Sequence, residues 1–175
     1  MRSGDRTLKK QRTLRPTSNK VRVALFNILR AEIGGAVFLD LYAGTGAVGI
    51  DALVEGAAEV VFVEESRSSS GKVKALIEKL RLQDRARVFN RKAVPFIEWA
   101  ELNSEAFDII FLDPPYHTEE IMSALSAIGS SRILKQDGVV IAEHFVKRDL
   151  PDDFHTLHKI KDYHYGDTVL SFYRK

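Results

Sequence analysis

Four consecutive residues, Asp113, Pro114, Pro115 and Tyr116, close the apolar run "FDIIFL", and their types suit one kind of chemistry. An exocyclic amine on a nucleobase is a weak nucleophile because its lone pair is delocalised into the ring. Two acceptors placed on its N–H bonds favour a pyramidal nitrogen. The Asp113 carboxylate and the Pro114 carbonyl could supply them, because a backbone fixed by Pro114 and Pro115 turns a carbonyl out of the sheet. Positive charge grows on such a nitrogen as it takes up an alkyl group, and a preorganised carboxylate and carbonyl stabilise it. Tyr116 can stack on the base, a contact worth about 1–3 kcal/mol in single-stranded systems. The bland alternative is a proline-stiffened turn with a core tyrosine.

A second cluster stands earlier, in "VFLDLYAGTGAVGI" over residues 37–50. Asp40 ends a strand-like run, and Gly44, Gly46 and Gly49 lead into the helix-forming "AVGIDAL". Strand, turn and helix in that order let a ligand lie against backbone N–H groups at the positive end of a helix. The spacing also fits a dinucleotide fingerprint, but Asp40 would repel a pyrophosphate and attract an ammonium or sulfonium group. S-adenosylmethionine carries both, with a carboxylate for the helix N-terminus and a ribose for an acid on the next strand. Glu64, 18 residues beyond Gly46, is placed to be that acid, with Glu65 as its solvent-facing neighbour. Asn90 to Ala93 would border the adenine ring. The candidate cofactor-binding residues are therefore Asp40, Tyr42, Gly44, Gly46, Glu64, Asn90 and Ala93. A side chain at Gly46 is expected to fill the space over the loop and exclude the ligand.

The elements that must position these residues alternate along the chain. "LRPTSNKVRVALFNIL" reads as a helix capped by Thr17 or Ser18, with Val21, Leu25, Ile28 and Leu29 at helical spacing until Gly34-Gly35, and it should cover one edge of the sheet. The glycine loop opens a helix through about Glu55. Then follow a buried strand "AEVVFVEES", an amphipathic helix "SGKVKALIEKLRLQ", a short strand "ARVFN", a helix with Pro95 in its first turn ending near Trp99 or Leu102, and the strand "FDIIFL". A helix over 118–128 precedes the buried strand "DGVVIAEHF", and residues 154–175 alternate on both sides of "YGD" as an antiparallel pair. Strands alternating with helices imply a parallel sheet that binds ligands outside the strands' carboxyl ends. Asp40, Glu64, Asn90 and Asp113 each fall at such an end, so one crevice is expected to gather all four.

The length of 175 residues and 45% hydrophobic composition suit a single domain over 17–175. Net charge is only +2, yet residues 1–22 hold eight Lys/Arg against the lone acid Asp5. This basic arm, over 1–16 and running into the first helix, is a candidate phosphate contact, with Arg12, Arg15, Lys20 and Arg22 as its residues. Cysteine is absent, which excludes disulfides, thiolate metal sites and covalent attack by a thiol. No apolar run is long enough to span a bilayer, and a cytoplasmic enzyme is the expectation. The chemistry above asks for no metal. His117 reads as a rim residue, His144 as a satisfied core histidine, and Trp99 as packing between helix and sheet; His155, His158 and His164 lack ligand spacing.

With these residues assembled, the sequence resembles the bacterial RsmD family of methyltransferases, from "LRPTSNKVRVALFNIL" through "FLDLYAGTGAVGIDAL", "VVFVEES" and "DIIFLDPPY" to "YGDTVLSFY". The resemblance implies an α/β Rossmann-like class I methyltransferase fold, with a seven-stranded mostly parallel sheet, an antiparallel C-terminal strand and helices on both faces. It implies methyl transfer from S-adenosyl-L-methionine to the N2 amine of a guanine in 16S ribosomal RNA, with naked RNA or a small-subunit assembly particle as partner and a monomeric enzyme. Asp40, Gly44 and Gly46 match the family's cofactor loop, Glu64 its ribose acid, and Asp113 to Tyr116 its catalytic motif. An adenine-N6 methyltransferase on DNA or RNA would use the same motif, but a sequence-specific DNA enzyme usually carries a target-recognition insertion that this chain lacks. A non-catalytic RNA-binding protein of the same fold, and an NAD-dependent oxidoreductase argued from the glycines alone, are the remaining alternatives.

Overall fold

Strands that are apolar along their whole length must be covered on both faces, and the sheet of this protein is built between two helical layers. The computed structural model describes residues 18–116 and 118–175, so the basic arm, Thr17, Arg12, Arg15 and His117 lie outside the described residues. The order of elements is α1 (Asn19–Leu29), β1 (Val37–Asp40), α2 (Ala47–Val54), β2 (Glu59–Val63), α3 (Arg67–Leu80), a 3-10 turn, β3 (Ala86–Phe89), α4 (Ala93–Leu102), β4 (Phe107–Leu112), α5 (Glu120–Gly129), β5 (Leu134–Phe145), β6 (Asp153–Phe154), β7 (Leu157–Tyr165) and β8 (Thr168–Arg174). The sheet order is β3-β2-β1-β4-β5-β8-β7-β6. β1 to β5 are mutually parallel, and β8 runs antiparallel between β5 and β7.

Among the described residues the sheet has eight strands where seven were expected. The eighth is two-residue β6, which pairs Phe154 with Leu157 and buries the Phe154 ring edge-on against Tyr173, 5.8 Å between centroids. No alternation is legible in so short a segment. One core layer joins Leu39, Val61, Ile110 and Val140 to α4 and α5; the other joins Phe38, Phe62, Ile109, Phe111 and Ile141 to α1, α2 and α3. Trp99 packs α4 onto the first of these layers, its ring 4.8 Å from Phe89 and 5.5 Å from Phe96.

Helix α1 departs from expectation. Val21, Leu25, Phe26 and Leu29 bury against the face of the central strands rather than an edge, with Phe26 6.4 Å from Phe38. Ser18 caps the helix by accepting from the Val21 N–H at 3.3 Å. The Arg174 guanidinium at the end of β8 donates to Glu32, just past the helix, at 2.7 Å, so α1 runs from the carboxyl edge of the parallel strands toward their amino edge. Helix α3 starts earlier than the apolar periodicity suggests because Ser66 accepts from the Ser69 N–H. Helix α5 starts later, because the Thr118 hydroxyl is spent on the Pro115 carbonyl at 2.9 Å. Among the described residues, no helix is long and apolar enough to cross a membrane.

Candidate active site

The strand order reverses between β1 and β4, and there the carboxyl edge opens. Asp40 is the last residue of β1 and pairs in register with Phe62 on one side and Phe111 on the other. Glu64 and Asp113 each lie two residues beyond those partners, so all three acids stand at adjacent strand ends on one side of the sheet. After β1 the chain stays close to both neighbours: the Leu41 N–H donates to the Phe111 carbonyl at 3.0 Å, and the Ala43 N–H to the Val63 carbonyl at 2.9 Å.

The glycine loop is tied to these acids. The Gly44 N–H donates to Glu64 Oε2 at 2.9 Å, and the Gly49 N–H, in the first turn of α2, donates to Asp40 Oδ2 at 3.0 Å. Glu64 also accepts from the Ser66 N–H at 2.7 Å. Gly46 holds φ +80°, the left-handed conformation in which a Cβ is strained, and its N–H closes the turn onto the Ala43 carbonyl at 2.7 Å. A Cβ there would point at Val73, 3.2 Å from its Cγ2, and not into the space over the loop. A substitution at Gly46 therefore acts by forcing the loop off α3, which corrects the expectation of simple filling. Gly49 serves packing, since its Cβ would meet the Phe62 ring at 2.2 Å.

Asp40 is 1% exposed. Burial pushes its carboxyl up from 3.8 to about 7; the Gly49 N–H opposes this, while the neighbouring charges of Asp113 and Glu64 add to it. The charges of Asp113 and Glu64 make ionising Asp40 costlier, and a cationic ligand relieves that cost. That is the observation on which a sulfonium-bearing cofactor fits this site. Tyr42 is half-buried against the α4–α5 layer, and its hydroxyl is pushed up by burial, then by Glu120 and Glu65.

Asn90 follows β3, and its side-chain amide donates to the Glu64 and Glu65 carbonyls, both at 2.9 Å. It binds the two strand-end loops together. Ala93, buried, begins α4 beside it, after the exposed Lys92. On the other side of the switch point, β4 stays paired with β5 through Leu112 and Ala142, after which the two prolines offer no donors. Pro114 is buried, Asp113 and Tyr116 are half-buried, and the Tyr116 ring meets Phe145 edge-on at 6.2 Å.

The RNA candidates within the described residues differ. Lys20 is exposed near the amino end of α1. Arg22 donates through Nε to Asp51 of α2 at 2.8 Å and through its other arm to Asn19, so it first of all clamps α1 to α2. His144 is a satisfied core histidine: buried, its ring nitrogens 3.1 Å from the Phe145 carbonyl and 2.8 Å from the Ser171 hydroxyl, with burial holding its pKa below the usual range. Among the described residues no cluster of three or more His, Asp or Glu could hold a metal ion.

Glu143 escaped the sequence reading. It is 3% exposed and follows Ala142, the register partner of Leu112, so it stands beside Asp113. The signal was a carboxylate inside an otherwise apolar parallel strand, which the neighbouring histidine obscured.

Comparison with known proteins bears on the family and the fold. The profile of conserved hypothetical protein 95 matches residues 3–174. YlbH of Bacillus subtilis is 33% identical over 161 residues, spanning 92% of this chain and 88% of that protein. Ribosomal RNA small subunit methyltransferase D of Haemophilus influenzae is 32% identical over 139 residues, 79% of this chain and 70% of that one. The solved structure of Escherichia coli yhhF superposes with a TM-score of 0.81 at 26% identity, covering 91% of this chain and 87% of that one. With matches of this extent to its sequence and its fold, the chain belongs to the conserved hypothetical protein 95 family, the RsmD family of methyltransferases.

Proposed function

We propose that the protein methylates the N2 amine of a guanine in 16S ribosomal RNA, as a monomer in the cytoplasm, on naked RNA or a small-subunit assembly particle. The coarser activity, S-adenosylmethionine-dependent methylation of ribosomal RNA, follows from the family. The observation that carries the finer reading is the meeting of Asp40 and Asp113 at one switch-point crevice, with a glycine loop on one side and Pro114-Pro115-Tyr116 on the other.

S-adenosylmethionine supplies, when bound, an electrophilic methyl group on a sulfonium centre. The residues of the chain do the rest. The amino end of α2, at Ala47 and Val48, offers N–H groups and a positive dipole end to a carboxylate, on a loop that Glu64 and Asp40 hold in place. Glu64 keeps acceptor capacity beyond its two backbone bonds, since an ionised carboxylate has about four lone-pair sites, and it is placed for ribose hydroxyls. Asp40 holds the glycine loop and contributes negative potential. Asp113 and the Pro114 carbonyl accept from the amine's N–H bonds and stabilise the positive charge that develops there. Tyr116 stacks on the base, and alignment of the reacting atoms supplies the remaining acceleration.

Small ribosomal subunits from a strain lacking this protein, incubated with labelled methyl donor and digested for nucleoside mass spectrometry, test the reading. N2-methylguanosine is expected; N6-methyladenosine would replace the assignment of the base, and no labelled nucleoside would end it.

A further inference from the structure

The crevice accounts for the cofactor and a single base, but the sheet continues past it. Beyond Asp113 lie the end of β5 and the β7–β8 hairpin, whose turn is anchored by the Val146 N–H donating to the Asp167 carbonyl at 2.8 Å. Register sorts the side chains here by face. Phe145 pairs with Thr168 and Thr168 with Tyr165; Glu143 pairs with Leu170 and Leu170 with Tyr163; Phe172 pairs with Lys161. Directly paired residues share a face, so Phe145, Tyr165, Tyr163 and Lys161 lie on the side that carries Glu143 and Asp113.

The acid of β7 goes the other way. Asp162 pairs with Ser171 and accepts its hydroxyl at 2.5 Å, and Lys159, on that same far side, is held by Asp152 at 3.2 Å and Asp162 at 3.6 Å. Past the buried Glu143, what the hairpin and the end of β5 add on the Asp113 side is aromatic and cationic. The Lys147 Nζ lies 6.0 Å from the Phe145 ring centre, and the Lys161 Nζ 4.7 Å from that of Tyr163. Tyr163 and Tyr165 are half-buried, seated on the core beneath, while Lys147 and Lys161 are exposed. Interleaved rings and ammonium groups along one strip are what a sequence-tolerant single-stranded nucleic-acid surface requires: π faces for bases and charges for phosphates. The strip is continuous with the crevice through the Tyr116–Phe145 contact.

We propose that this face of the β7–β8 hairpin, with the end of β5, binds the single-stranded RNA flanking the target base, Tyr165 and Phe145 meeting bases while Lys147 and Lys161 meet phosphates. It rests on the reading that the substrate is RNA. A strand held there leads toward Asp113, because Phe145 stands two residues past Glu143, the neighbour of Asp113, and Tyr165 lies two strand spacings, about 10 Å, beyond Phe145.

The test compares wild type with the double variant Lys147→Gln/Lys161→Gln, with Tyr165→Ala and with Tyr165→Phe, using unmodified 16S RNA as the methyl acceptor. Calorimetry with S-adenosylhomocysteine reports the cofactor side, and thermal melting reports folding. Removing the two charges is expected to raise the KM for RNA about tenfold and to flatten the salt dependence of RNA binding by about 1.4 in log–log slope, at 0.7 per phosphate contact on a single strand. Tyr165→Ala is expected to weaken RNA binding about tenfold and Tyr165→Phe to restore it, with S-adenosylhomocysteine affinity unchanged in all. An unchanged RNA KM and slope in the charge variant overturns the proposal, even if Tyr165→Ala proves unstable. A wild type that binds S-adenosylhomocysteine but neither binds nor methylates RNA, free or in small subunits from a strain lacking this protein, overturns the RNA reading itself, and the hairpin surface with it.

Discussion

In the proposed site, Asp40 is the residue whose protonation is expected to affect cofactor binding most. Its carboxyl titrates near 7 in the folded chain against 3.8 ordinarily, so the folded protein holds a proton that the unfolded chain has lost between those values. Stability of the empty protein therefore falls, for this group, as pH rises from about 4 to 7, and the loss is complete above 7. A cationic ligand favours the ionised form, so the two effects oppose each other. Cofactor binding is expected to release a proton below pH 7 and to weaken up to about tenfold per unit as pH drops further; calorimetry in buffers of different ionisation enthalpy reads it, and Asp40→Asn should flatten the profile. Asp113 tests the other half of the crevice. Asp113→Ala is expected to cut methyl transfer by about 100-fold or more, the cost of losing one preorganised acceptor, while S-adenosylhomocysteine still binds; equal turnover would remove Asp113 from the chemistry. Gly49→Ala should destabilise the fold by about 1–3 kcal/mol in urea melts, because its Cβ would overlap the Phe62 ring.

The elements show what was legible and what was not. Buried parallel strands are near-continuous apolar runs that stop at the first polar group, so the strand ends at Asp40, Glu64, Asn90 and Asp113 could be read from sequence, and so could the convergence of those ends. How each side chain spends its hydrogen bonds could not. Asn90 laces two carbonyls and Arg22 clamps two helices, uses that depend on neighbours distant in the chain. Glu143 was hidden by its own apolar context, and the two-residue β6 carries no period at all. Where a local bond decides an element, the sequence rule held: Ser18 caps α1. Ser18→Ala is expected to cost about 1 kcal/mol in global stability. Arg22→Gln should cost less, since the Arg22–Asp51 pair is partly exposed and such pairs are worth about 0–1 kcal/mol.

Across the molecule, the switch point divides labour. β1, β2 and β3 carry the glycine loop and its acids, β4 carries the proline motif, and β5, β8 and β7 extend the surface away from the cofactor half. Ser18 opens α1 at that same carboxyl edge. The placement of β8 has a further consequence. It is made after β7 yet sits inside it, and among the described residues it supplies the partner that β5 has on its outer side. During biosynthesis the outer flank of Val140–Phe145 lacks this partner until Thr168–Arg174 has left the ribosome, so closure of this side of the sheet must wait for those residues, and nascent chains stalled before them would expose an adhesive strand flank to chaperones and to one another.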